Sequence, residues 1–239
     1  VKTQEWAKIN KIPRQVVDLS VSSSLVAGWV ISVIKEKLSN FPYRYAGAEA
    51  TFIKEASLDK LQTVFESALE PSVWLQFWYH SDDSFMSLTW KGITLWLEMD
   101  INSCDTSHGP ELFDAFLSVM PKGRVYEAVE AVIAQCQLPL NIVCPTNPWK
   151  KVTLVPEQPV LYSGSTITTI LNCLGCLTIF KSIADHRNLY DQCETVEDVK
   201  ALTIHLASLA GYIVTVDVWE HIQQATFLKH SSNEHGEPW

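Results

Sequence analysis

No stretch of this 239-residue chain holds the ~18 to 20 uninterrupted apolar residues that a membrane-spanning helix needs; the nearest, Val21 to Ile34, is shorter and rich in Ser. No bilayer span is expected. The basic-then-apolar layout of a signal peptide is missing from the N-terminus. The six Cys are too few and too irregular for a secreted disulfide framework, which favours a reducing compartment. Cys173 and Cys176 form a CxxC without a second ligand pair nearby, and structural zinc takes four ligands, so they are expected as buried thiols on a helix. Internal repeats, low-complexity tracts and obvious linkers are also missing, which predicts one compact unit. The chain starts at Val1 rather than Met, and Glu234 to Trp239 ends without a tail-like composition, so it is expected to be a piece of a longer protein.

Basic charge is scarce as well. The formal net charge of −9 counts against a broad phosphate-binding surface. Its distribution is uneven, because residues 1 to 45 hold seven basic residues, Lys11 and Arg14 among them, against three acidic ones. The acidity sits downstream. A hydrophobic share of 47% is enough to fill a core in a domain of this size.

The pattern predicts an α+β chain. A basic extended stretch runs to Leu19, followed by helices over about 22–38 and 58–69, the second opening at Ser57 as N-cap. Aromatic and apolar residues over 72–79 and 85–90 flank His80-Ser81-Asp82-Asp83-Ser84, the signal of a β-hairpin. A strand over 93–99 ends in Asp100. Helices are expected at about 111–119 and 125–136, and the five Pro of residues 138–162 predict loop and short strands. Helices follow over about 168–183 and 196–210, the last ended by Gly211, then strands at 212–218 and 225–228.

Three groups of residues carry chemistry. Asp100 and Asp105 form a DxxxxD at a strand tip. Asp82 and Asp83 stand at a hairpin apex, where adjacent carboxylates repel unless a cation neutralises them. The most specific is Ser163-Gly164 followed by Thr168 and Asn172, an SGxxxTxxxN at a loop-to-helix junction, with Thr168 and Asn172 on one helix face. Such a pattern arises by accident in on the order of one chain in several hundred.

Together these elements resemble the palm motifs of viral RNA-dependent RNA polymerases: Asp100 to Asp105 motif A, Ser163 to Asn172 motif B, Ser81-Asp82-Asp83 motif C. Gly211 to Thr215, with the helix before it, resembles motif D, and Thr226 to His230 motif E. The order departs from the usual one, because the Asp-Asp hairpin precedes motif A. This C-A-B order is similar to that of birnaviruses and permutotetraviruses, with the intact doublet closer to the latter.

The resemblance implies a palm of antiparallel sheet with helices packed on one face (residues 71–239), and a partial fingers segment (residues 1–70). It implies template-directed RNA synthesis with two divalent ions, Mg²⁺ or Mn²⁺, held by Asp82 and Asp100 with Asp83 auxiliary. Asp105, Ser163, Gly164, Thr168 and Asn172 would bind the nucleotide and its ribose 2′-OH. Lys11 and Arg14 would meet triphosphate or template, and Lys229 the primer. Motif D lacks its usual Lys, which makes His221 the candidate general acid. The implied partners are RNA template and nascent strand, nucleoside triphosphates and other viral replication proteins, in host cytoplasm or virion. Two other readings stay open: an inactive palm-like domain, and a non-enzymatic acidic binding module that displays the nine Trp. They separate on geometry, since catalysis requires Asp82 and Asp100 to converge from 18 positions apart.

Overall fold

Alternating apolar residues need a partner sheet face, and in this chain they find one on each side of a six-stranded sheet. The computed structural model describes residues 21–144 and 147–239; the basic stretch with Lys11 and Arg14 lies outside them. The first half runs α1 (Val21–Asn40), β1 (Tyr43–Tyr45), β2 (Ala48–Phe52), α2 (Leu58–Leu69), β3 (Leu75–His80), β4 (Asp83–Trp90) and β5 (Ile93–Ile101). Then come the single turn α3 (Cys104–Ser107), α4 (Pro110–Ser118), α5 (Arg124–Gln135), β6 (Leu140–Cys144) and β7 (Asn147–Leu154). The last third holds α6 (Thr168–Asp185), α7 (Arg187–Tyr190), α8 (Val196–Leu209), β8 (Val214–Trp219), β9 (Thr226–Phe227) and β10 (His230–Ser231). No described helix is long and apolar enough to cross a membrane.

The chain divides into two compact units rather than the single one expected. One gathers residues up to Ser32 with Asp105–Leu171, the other Val33–Cys104 with Asn172–Trp239. Residue 70, where the sequence suggested a division, falls inside the second unit. The cause is strand pairing, since β2 lies parallel to β3 and joins the same sheet.

The sheet of the second unit is ordered β1-β2-β3-β4-β5-β8, antiparallel at every step except β2 to β3. Parallel neighbours need a crossover, and α2 supplies it. Because successive strand residues point to opposite faces, Met86 and Leu88 of β4 and Leu95, Leu97 and Met99 of β5 enter one core with Cys173, Phe180 and Leu206 of α6 and α8. Trp78 and Phe85 point the other way, against Leu61, Val64 and Phe65 of α2 and against Phe227. Helices therefore cover both faces, not the single face expected. β4 is correspondingly buried along most of its length.

The helix ends follow local rules. Thr195 and Asp198 form a reciprocal capping box at the start of α8. Gly211, at φ 90°, ends that helix as expected. Ser57 does occupy the N-cap of α2 with extended backbone, but its side chain makes no capping bond. The sequence reading missed the β1–β2 hairpin. In the first unit, Phe113, Phe116, Val129 and Val132 are the buried faces of α4 and α5, while β6 and β7, among the described residues, pair only with each other.

Candidate active site

Two residues, Ser81 and Asp82, link β3 to β4, with His80 and Asp83 as the last paired residues. Of the two, Ser81 alone has positive φ, 57°. That is the pattern of a type II′ turn, whose first central position favours Gly. A side chain there costs roughly 1–2 kcal/mol, so other contacts must hold it. They come from α6: the Asn172 amide donates to Ser81 Oγ at 3.2 Å, and the Cys176 thiol donates to the Ser81 carbonyl at 3.3 Å. Burial pushes the Cys173 thiol up to about 12 and Cys176 well above its ordinary value. Both stay protonated, which suits a hydrogen-bond donor and not a metal ligand. The CxxC is thus a buried support for the turn.

Beyond the turn, Asp83 stands directly opposite Asp100 in the β4–β5 register, although 17 positions separate them. Register partners present their side chains on the same face. Asp82 is half-buried in the turn beside them. The facing pair is therefore Asp83 with Asp100, with Asp82 adjacent, where the sequence reading paired Asp82 with Asp100. Asp83 is exposed at the strand end, yet partial desolvation by the surrounding walls raises its carboxyl above the usual range and the Asp82 charge adds to the rise, while His80 and Lys229 pull it back down.

A cleft of about 270 Å³ opens on this face, lined by Asp83, Asp100, Glu98, Thr215, Asp217 and Lys229 among others. Asp217 pairs with Lys200 at 3.3 Å. Among the described residues, no three His, Cys, Asp or Glu side chains form a ready metal-ligand group. Mg²⁺, however, keeps much of its water and uses one or two protein carboxylates plus substrate phosphates. Asp83 and Asp100 fit that donor set.

Glu98 is the residue that motif reading passed over. Its carboxylate accepts from the Trp219 indole at 2.8 Å, from the Thr226 amide at 2.7 Å and from the Thr226 hydroxyl at 2.6 Å. Three donors on one carboxylate fasten β9 to β5. The following turn, Leu228–Lys229, has two non-glycine residues at φ 51° and 68°, and such backbone persists only where surroundings enforce it. Phe227, stacked on Phe85 at 5.9 Å, supplies the second anchor. Lys229 is thereby held close enough to favour the Asp83 anion. The strand period of two, which puts Glu98 on the face of Asp100, was the available signal.

His221 is exposed at the start of the 3-10 turn Ile222–Gln224, its carbonyl accepting from the Gln224 amide, and it does not line the cleft. Asp105, Ser163, Gly164 and Thr168 belong to the first compact unit. There Gly164 has φ 98° and the Thr168 hydroxyl donates to the Tyr162 carbonyl at 3.1 Å, closing the loop onto the start of α6. Neither a known protein-family model nor a curated protein sequence matches the chain.

Proposed function

We propose that this chain carries the palm of an RNA-directed RNA polymerase whose Asp-Asp hairpin precedes its motif A strand. The observation that carries the reading is the pairing of Asp83 with Asp100 on adjacent strands. Supporting it, the β3–β4 turn rests on the helix of the SGxxxTxxxN pattern through Asn172 and Cys176, and β8, the motif D strand, pairs with the other side of β5.

Nucleotidyl transfer depends on positioning and charge neutralisation more than on covalent help from the protein. Divalent ions, Mg²⁺ or Mn²⁺, would be held by Asp83 and Asp100 with Asp82 beside them, and when bound they supply the positive charge that an attacking 3′-oxygen and a leaving pyrophosphate need. The chain's own residues do the positioning. Asn172 and Cys176 hold the turn that presents the two aspartates, and Glu98 holds the hairpin that carries Lys229, which would meet a nascent-strand phosphate. In this reading Asp105, Ser163, Gly164 and Thr168 recognise nucleotide and ribose, and Lys11 and Arg14 meet phosphates; Asn172, buried, holds the turn instead of the ribose, and His221, outside the cleft lining, is not its general acid. RNA, nucleoside triphosphates and other viral replication proteins are the partners, in host cytoplasm or virion. The acidic, Trp-rich binding module draws less support, because Trp74, Trp78 and Trp90 are buried and Trp96 and Trp219 half-buried in the sheet's cores.

The test is primer extension on an RNA template with Mg²⁺ or Mn²⁺, comparing the full-length protein with Asp82→Ala, Asp83→Ala and Asp100→Ala. Extension abolished by Asp83→Ala and by Asp100→Ala is expected. Extension that survives either change, or no extension by a folded full-length protein, would overturn the reading.

A further inference from the structure

Outside the carboxylate cleft, the most conspicuous unassigned surface is the β6–β7 ribbon of the first compact unit. Trp149 is 94% exposed there, a large aromatic left in water. Lys150 and Lys151 follow it, both exposed, in a chain of net charge −9. Among the described residues, no third strand pairs with the ribbon.

Its geometry is set from within. The Asn147 side chain accepts from the Trp149 amide at 3.2 Å and so fixes the backbone at the start of β7. On the strand, Trp149, Lys151 and Thr153 share one face, with Asn141 opposite Thr153 in register and its Oδ1 accepting from the Thr153 hydroxyl at 2.8 Å. Lys150 lies on the other face beside the exposed Val152. One face therefore presents an aromatic ring, then a cation, then a hydroxyl-amide pair.

We propose that this ribbon binds single-stranded nucleic acid, with Trp149 stacking on a base and Lys151, on the same face, contacting the adjoining phosphate. An aromatic ring beside cations is the combination that single strands use, because every base has a stacking face and every linkage a charge. A duplex would not offer an unstacked base. A lipid surface fits less well, since an inserting face would be apolar throughout, whereas Trp149 shares its face with Lys151, Thr153 and Asn141. The proposal goes beyond the polymerase reading and does not need the carboxylates.

The test is fluorescence anisotropy of a short labelled single-stranded RNA, the DNA of the same sequence and a blunt duplex, at low and physiological salt, with phosphatidylserine vesicles as a separate arm. Binding to either single strand is expected, with Trp149→Ala weakening it about 5- to 150-fold. Lys151→Ala should lower the slope of log affinity against log salt by about 0.7, whereas Lys150→Ala, on the opposite face, should leave it unchanged. These side chains are exposed, so the variants should fold, which circular dichroism checks. Trp149-dependent strand binding by a protein without extension, or extension by one without such binding, tells failure of the polymerase reading and failure of this proposal apart. No strand binding, binding unaffected by Trp149→Ala, preference for the duplex, or Trp149-dependent binding to vesicles alone would overturn it.

Discussion

Glu98 offers the sharpest test of how the cleft is built. Glu98→Ala deletes a carboxylate that accepts three hydrogen bonds, all under 2.9 Å, from Trp219 and Thr226. A hydrogen bond to a charged group contributes about 1.5–3 kcal/mol, and a buried donor left alone costs about 1–3 kcal/mol. Thr226 is exposed and Trp219 half-buried, so water replaces part of the loss, and the net destabilisation should be about 2–4 kcal/mol. Glu98→Gln keeps one acceptor and the shape, and should cost about 1 kcal/mol. Denaturant unfolding measures both, and amide exchange at Thr226 and Phe227 should speed up in the Ala variant. The same variant frees the hairpin that holds Lys229 near Asp83, so the Asp83 carboxyl should titrate at still higher pH by carbon-13 NMR. A loss under about 0.5 kcal/mol, with unchanged exchange at Thr226, would refute the idea that Glu98 fastens this hairpin.

Two further outcomes are expected. Because the Asp83 carboxyl is raised, the folded protein holds that proton more tightly than the unfolded chain does. Stability from this group therefore falls as pH rises from the ordinary aspartate range through the Asp83 midpoint, and levels off above it. Asp82→Asn removes the like charge, so NMR titration should find the Asp83 midpoint lower and acid-range denaturation should find a smaller fall; an unmoved midpoint would mean burial acts alone. Ala46, in the β1–β2 turn at φ 49°, occupies left-handed backbone that suits Gly, so Ala46→Gly should stabilise by about 0.5–1 kcal/mol in denaturant melts, and a loss of stability would contradict that account.

Much of the local structure was legible in the residues themselves. The turn signal between two apolar runs placed the β3–β4 hairpin, and helical periodicity found α2, α6 and α8. These features depend on neighbours within a few positions, where backbone preference and side-chain period act directly. The CxxC was also readable as buried thiols, because the apolar run around it left no second ligand pair.

Tertiary structure decided the rest. Short strands such as β1 and β2 carry little periodic signal, and the parallel pairing of β2 with β3 depends on where α2 sets the returning chain down. That crossover put a helix on the second face of the sheet. Register between β4 and β5 brought Asp83, not Asp82, opposite Asp100, since moving one residue along a strand turns the side chain to the other face. Glu98 became an anchor only once Trp219 and Thr226, 121 and 128 positions away, arrived beside it. The types of elements followed from spacing along the chain; the partners across the sheet followed from burying two apolar faces at once, which no local stretch of sequence encodes.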